Sequence, residues 1–200
     1  MHISLVIPCF TADKDLEAVA MDAARSYRDQ VDELIIAEDG GMYSKELAAI
    51  ADIYIYSKEN RGFTANVNNG WRVARGDYCM IVNSDTTLKL GKLKNLCIPG
   101  TVTSPLVRNH EVPYLSGAFF VVPKTVRDQR GVLWEDFKMY YSDSEYDLRV
   151  DDIFKQVPKV EIHHQICTTV RATGKEGMSA AEDKETFEEF IRQGKITKRE

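Results

Sequence analysis

Residues 77–86 read Asp77-Tyr78-Cys79-Met80-Ile81-Val82-Asn83-Ser84-Asp85-Thr86. An apolar run rich in strand formers leads straight into a short polar cluster that contains a carboxylate. In an open α/β sheet, ligands bind beyond the carboxyl ends of buried strands. An aspartate there, beside an amide and a hydroxyl, offers the hard oxygen chemistry that suits a divalent cation carrying phosphates. A second run, Glu33-Leu34-Ile35-Ile36-Ala37, ends the same way in Glu38-Asp39-Gly40-Gly41. Two acidic strand ends in the first half of one chain point to a nucleoside diphosphate site.

Working outward, His2 to Ile7 reads as a first strand closed by Pro8. Asp13 to Arg28 reads as a helix, with Leu16, Val19, Ala20, Ala23, Ala24 and Tyr27 at near-helical spacing and Thr11 or Asp13 as its cap. Strand 33–37 is followed by a short helix from Ser44 to Ala51, a strand from Ile53 to Tyr56, and the loop Asn60-Arg61-Gly62. A helix from about Thr64 to Arg75, ended by Gly76, leads into the strand Tyr78 to Val82. This alternation predicts a parallel, Rossmann-like sheet flanked by helices. A dinucleotide fold would place GxGxxG after the first strand, but Pro8-Cys9-Phe10 stands there, which argues against NAD or FAD.

The second half has a different pattern. Thr101 to Ser104 and Tyr114 to Val122 read as strands, the latter containing the small residues Ser116-Gly117-Ala118, where a ligand can approach the backbone. Ser144 to Phe154 reads as a helix, and Lys159 to Ile162 as a last strand before His163-His164. Gly174 to Gly177 reads as polar and mobile. Ala180 to Gln193 is an acidic amphipathic helix with Phe187, Phe190 and Ile191 on one face. There is no internal repeat and no clear interdomain linker. The expectation is one domain over 1–200, with a nucleotide-binding half at about 1–87, an acceptor and catalytic half at about 100–170, and a C-terminal helix and tail at 178–200.

Composition narrows the function classes. With 26 basic and 31 acidic residues, the net charge of −5 argues against a general nucleic-acid binder, which needs a basic face. No apolar run approaches the roughly 20 residues of a membrane span, and the N-terminus lacks the basic segment of a signal peptide. Cys9, Cys79, Cys97 and Cys167 show no metal-binding spacing and read as free, mostly buried thiols. Together these features predict a soluble, cytoplasmic protein.

The motifs carry a family likeness. In order they are Ser4-Leu5-Val6-Ile7-Pro8, Glu38-Asp39-Gly40, Asn60-Arg61-Gly62-Phe63, Ala74-Arg75-Gly76-Asp77-Tyr78, Asn83-Ser84-Asp85-Thr86, Ser116-Gly117-Ala118 and Ser144-Glu145-Tyr146-Asp147-Leu148. Each is weak alone, but their order resembles the family 2 type of GT-A glycosyltransferases, especially the rhamnosyltransferase-like branch, over roughly residues 3 to 170. A more distant likeness is to virus-encoded enzymes that glycosylate a capsid protein, which would place the chain in a host cytoplasm.

The resemblance implies a GT-A fold and roles for particular residues. Pro8, Cys9, Phe10 and Asp39 would hold the nucleotide base, and Asn60, Arg61 and Gly62 would line its pocket. Asn83-Ser84-Asp85 falls where the family has its DxD motif, with Asp85 at the metal-binding position and Asn83 replacing the first aspartate. Ser116, Gly117 and Ala118 would lie beneath the donor sugar. His164 would be a further ligand to metal or diphosphate. Glu145 occupies the base position of inverting members, with Ser144 in place of the preceding glutamate and Asp143 as the rival if the motif is shifted. Trp134, near that motif, would border the acceptor. The implied activity is metal-dependent transfer, with Mn²⁺ or Mg²⁺, of a sugar from a nucleoside diphosphate sugar, UDP-linked by preference, to a hydroxyl of a glycan or glycoprotein.

The same residues also have plain structural readings. Asn-Ser-Asp-Thr is good turn chemistry, and Ser142 and Glu145 have the spacing of a capping box. Asp39 can simply precede a glycine turn, and Arg61 can be a solvated charge. His163 and His164 face opposite ways along a strand, so only one of them enters a site. Two other functions are open: a sugar-nucleotide nucleotidyltransferase, which would need a Gly-rich basic loop where Pro8 to Asp13 stands, and a noncatalytic sugar- or nucleotide-binding module.

Overall fold

The run at 78–82 forms a central strand of one eight-stranded sheet. The structure is a computed structural model that describes residues 1–109, 114–165 and 178–197. In chain order its elements are β1 (Ile3–Cys9), α1 (Lys14–Arg28), β2 (Glu33–Asp39), α2 (Lys45–Ile50), β3 (Ile53–Ser57), α3 (Phe63–Val73), β4 (Tyr78–Val82), β5 (Thr86–Leu90), β6 (Val102–Val107), β7 (Phe119–Pro123), α4 (Lys124–Arg130), α5 (Ser142–Val150), β8 (Phe154–His164) and α6 (Met178–Arg192). The strand order is β3-β2-β1-β4-β7-β6-β8-β5. β3, β2, β1 and β4 are parallel, as the alternation predicts. β7 then runs antiparallel to β4, with Val82 opposite Phe119, so the sheet is mixed.

Side chains alternate across the sheet and build a core on each face. Leu5, Ile7, Leu34, Ile36, Met80 and Val82 pack with Ala20, Ala23 and Tyr27 of α1. Val6, Ile35 and Ile81 pack with Val67 and Trp71 of α3 and with Tyr146 and Val150 of α5. Asp13 caps α1 by accepting from the Asp15 and Leu16 N–H groups, and Ser44 caps α2 through the Leu47 N–H. Thr11 is engaged elsewhere: its N–H and hydroxyl both donate to buried Glu38, at 3.0 and 2.9 Å.

Several boundaries differ from the sequence reading, each for a local reason. Helix α3 stops at Val73, before the expected Arg75. Gly76 serves a close approach instead, because an added Cβ would lie 2.6 Å from the Ser4 nitrogen. The stretch expected as a strand from Tyr114 begins pairing only at Phe119, since Phe119 N–H turns back to the Ser116 carbonyl and Leu115 N–H is taken by Asp147. α5 ends at Val150 rather than at Phe154, which opens the 11-residue β8. Pro158 hid that strand: the register against β6 jumps from Pro105–Val157 to Leu106–Glu161, so the proline falls in a bulge that needs no ladder N–H. β5 and α4 were not foreseen. Gly174 to Gly177 and Cys167 lie outside the described residues.

Among the described residues no helix is long and apolar enough to cross a membrane. Cys9, Cys79 and Cys97 are free, and burial pushes the Cys79 and Cys97 thiols up to about 12, which suits packing rather than reactivity.

At the amino-terminal end of β2, Glu33 is 1% exposed and accepts from the Ser4 hydroxyl at 2.6 Å, the Arg75 N–H at 3.0 Å and Arg75 Nε at 2.6 Å. Burial pushes its carboxyl up, but these three bonds and the guanidinium charge outweigh it and hold the group below its ordinary 4.5. A depressed carboxyl stabilises the fold above its unfolded value and ceases to do so as the pH falls through the lower folded value. Glu33→Ala is therefore expected to lose about 2–3 kcal/mol in urea unfolding at neutral pH, and the gap to the wild-type chain is expected to narrow as the pH falls below 4.5.

Candidate active site

The carboxyl ends of β1, β2 and β4 open onto a cleft of about 700 Å³. Pro8, Cys9 and Phe10 leave β1 on one wall, and Asp39 ends β2 beside them. Asp39 is 2% exposed, and its Oδ2 accepts the Arg61 and Gly62 N–H groups at 2.7 and 2.9 Å. Burial pushes its carboxyl up, and those two N–H groups and the Arg61 charge pull the other way. The loop 60–62 is thus tied to the end of β2 by a carboxylate. Gly62 makes the turn possible: its φ is +97°, and an added Cβ would sit 2.5 Å from the Lys138 carbonyl oxygen.

Asn66, one turn into α3, donates its amide to the Cys9 carbonyl at 3.2 Å and the Ala37 carbonyl at 2.7 Å, bridging β1 and β2. Among the described residues its Oδ1 is buried in the cleft wall without a hydrogen-bond donor, and Asp39 Oδ1 is buried there too, with Arg61 Nε 3.8 Å away.

Across the cleft, Asn83, Ser84 and Asp85 follow β4. They do form the turn their composition suggests, with Thr86 N–H and hydroxyl on the Asn83 carbonyl. Turn and site coexist, because the turn aims Asp85 into the cleft. β5 pairs with β8 so that Thr86 lies opposite His164, which brings His164 Nε2 within 3.1 Å of Asp85 Oδ1. His163 lies outside the cleft lining.

Among the described residues no three His, Cys, Asp or Glu side chains gather as a metal cluster. The Asp85–His164 pair nevertheless fits a cation of the Mg²⁺ or Mn²⁺ kind. Such ions keep several waters and need only one or two protein ligands when substrate phosphates complete the shell.

The third wall is the turn Ser116 to Ala118, with Lys138, Met139, Tyr140 and Asp143. Ala118 accepts the Asn83 N–H at 3.0 Å, joining this wall to the end of β4. Asp143, in the first turn of α5, accepts the Gly117 N–H at 2.8 Å and the Ser144 N–H at 2.9 Å. Burial pushes the Asp143 carboxyl up, against the pull of those N–H groups. Gly117 leaves the room: an added Cβ would lie 3.2 Å from the Phe63 ring and 3.4 Å from Asp143 Oδ2.

Of the residues given a site role from the sequence, Glu145 and Trp134 lie outside this lining. Glu145 is 1% exposed and ion-paired to Arg149, with Nε–Oε1 at 2.5 Å and Nη2–Oε2 at 2.7 Å. Arg149 lies over the rings of Trp134 and Tyr146, and Trp134 packs edge-on against Phe190 of α6. Phe63, Asn66 and Lys138 to Tyr140 line the cleft but were not foreseen. Asn66 had a readable signal, a polar residue one turn after Gly62 on the helix face that meets the sheet; Lys138 to Tyr140 had none.

Residues 4–97 match the family model Glycosyl transferase family 2, a span that takes in the walls from Pro8 to Asp85 and stops before Ser116. No curated protein sequence matches the chain. Among solved structures, GalNAc-T7 with UDP, GalNAc and Mn²⁺ superposes with a TM-score of 0.69 at 11% identity, over 82% of this chain and 44% of that one. S. aureus TarS gives 0.67 at 13% identity, over 83% and 37%. The mannosyltransferase PcManGT from Pyrobaculum calidifontis, in complex with GDP-Man and Mn²⁺, gives 0.65 at 14% identity, over 82% and 57%. The chain therefore spans less than two thirds of the length of each of these proteins. It shares the GT-A fold of these glycosyltransferases, and its residues 4–97 are similar to the glycosyl transferase family 2 model.

Proposed function

We propose that the chain transfers a sugar from a nucleoside diphosphate sugar to a hydroxyl of a glycan or glycoprotein. The observation that carries this reading is the gathering of Asp39, Asp85, His164 and Asp143 around one cleft at the strand ends. A UDP-linked donor is favoured because GalNAc-T7 and TarS were solved with UDP, although PcManGT holds GDP-Man. In this reading the base lies against Pro8 to Phe10, where Asp39 Oδ1 and Asn66 Oδ1 offer acceptors to a ring N–H. Asp85 and His164, with the Asn83 amide nearby, hold the divalent cation. When bound, that cation supplies Lewis-acid charge to the leaving diphosphate.

The remaining work falls to the chain itself. The small residues of the 116–118 turn leave space for the donor sugar, and the walls hold donor and acceptor in reacting distance. Asp143 faces the same space and is the base we favour over Glu145. As the acceptor oxygen bonds to the anomeric carbon, the bond from that carbon to the diphosphate oxygen breaks, and the hydroxyl proton passes to the Asp143 carboxylate. Backbone N–H groups, rather than a cation, fix that carboxylate, so it can accept a proton. Glu145 is committed to Arg149 and has a structural role.

Turnover of UDP-sugars with glycan acceptors tests the assignment. Asp143→Asn is expected to lower kcat by about 10²-fold or more, the scale of general-base catalysis, with nucleotide affinity kept. Glu145→Gln is expected to lose stability but to keep turnover per folded molecule within about fivefold, because it removes one partner of a buried pair. The opposite pattern, with Glu145→Gln inactive while folded and Asp143→Asn active, would return the base role to Glu145.

A further inference from the structure

The acidic helix α6, read from sequence as amphipathic with Phe187, Phe190 and Ile191 on one face, packs against the wall of the cleft. Asp183, on its second turn, is 2% exposed. Its Oδ1 accepts the Lys138 N–H at 2.9 Å, and its Oδ2 accepts the Met139 and Tyr140 N–H groups at 2.8 Å each. Three successive backbone N–H groups that converge on one carboxylate form an anion nest, a backbone shape that α-helix and strand do not provide. Those same three residues line the cleft.

The next residue, Tyr141, is the one non-glycine with positive φ among the described residues, at +62°. A bulky residue there is strained and persists only where its surroundings over-determine it. The surroundings come from α6: the Tyr141 ring lies 5.1 Å from that of Phe187, and Phe137 packs on Phe187 and Phe190 at 6.1 and 5.8 Å. On its other side, the Lys138 carbonyl accepts the Thr64 N–H at 3.1 Å and abuts Gly62. Asp143 follows two residues after Tyr141. The segment is thus held between the nucleotide loop and α6, and it leads directly into the carboxylate that faces the cleft.

We propose that α6 is a clamp for this wall, and that Asp183 is a positioning residue that fixes residues 138–141 and, through them, Asp143. The link to transfer rests on the glycosyltransferase reading above; the clamp itself does not. A residue that merely stabilised the fold would, on removal, loosen the sheet and the wall together. A clamp would loosen the wall alone.

The test uses the full chain with Asp183→Asn and Asp183→Ala, and Phe187→Ala as a variant that leaves the carboxylate in place. Amide hydrogen exchange is read at 138–140 and at β1 and β2, with UDP–Mn²⁺ affinity and kcat measured alongside. Exchange at 138–140 is expected to rise at least about 10-fold while β1 and β2 stay protected. The kcat is expected to fall at least about 10-fold with nucleotide Kd within about threefold, because a displaced wall misplaces the reacting groups without touching the base pocket. Phe187→Ala is expected to shift exchange in the same direction by less. Unchanged exchange at 138–140, or exchange and Kd that rise in step across the whole sheet, would overturn the clamp, as would unchanged kcat in a chain whose wall has loosened. A wild-type chain without turnover on any donor would overturn the glycosyltransferase reading instead, and the exchange pattern would still decide the clamp.

Discussion

The antiparallel pairing of β7 on β4, with Val82 opposite Phe119, is the constraint on which the site depends. Up to β4 the sheet is parallel, so β1, β2 and β4 all deliver their carboxyl ends to one edge. A further parallel strand at that position would have delivered only another carboxyl end. Because β7 runs the other way, its start lies at the same edge, and the 116–118 turn stands across from Asn83 to Asp85. The parallel run of β8 beside β6 then returns a strand end to that edge, where pairing with β5 sets His164 against Asp85. Residues far apart in sequence meet because β7 and β5 run against the other six strands, a geometry that places ligands beyond the strand ends.

A second regularity concerns how the loops at that edge are fixed. Buried carboxylates hold them chiefly through backbone N–H groups. Glu38 holds Thr11 and Gly41, Asp39 holds Arg61 and Gly62, Asp143 holds Gly117 and Ser144, and Asp183 holds Lys138 to Tyr140. A buried carboxylate without partners is costly, and loop N–H groups without partners are costly as well, so each satisfies the other. Burial still pushes the carboxyls of Glu38, Asp39 and Asp143 up. Rigid loops and acids with raised proton affinity thus arise from one arrangement.

Much of this edge was legible in the sequence because it is built from local signals. Apolar runs that end in Asp39 and Asp85 announce strand ends, and Asn60-Arg61-Gly62 announces a turn; all of them line the cleft. The second half was less legible because its signals are not local. Pro158 disguised β8, whose register the bulge against β6 rescues. In Ser142-Asp143-Ser144-Glu145 two carboxylates two residues apart on a helix face different ways. Motif alignment gives the base position to Glu145, whereas packing turns Glu145 to Arg149 and leaves Asp143 at the cleft. Residues 138–140 carry no sequence signal, since their shape is imposed by Asp183 from more than 40 residues away.

Calorimetric titration of UDP and of GDP, each with Mn²⁺ and with EDTA, is the most direct test of whether this edge is a nucleotide–metal site. The expected result is UDP binding that requires Mn²⁺ and is lost in Asp85→Ala, with GDP binding more weakly. Absence of metal-dependent binding for either nucleotide would contradict the assignment of Asp85 and His164, and would favour a noncatalytic binding module.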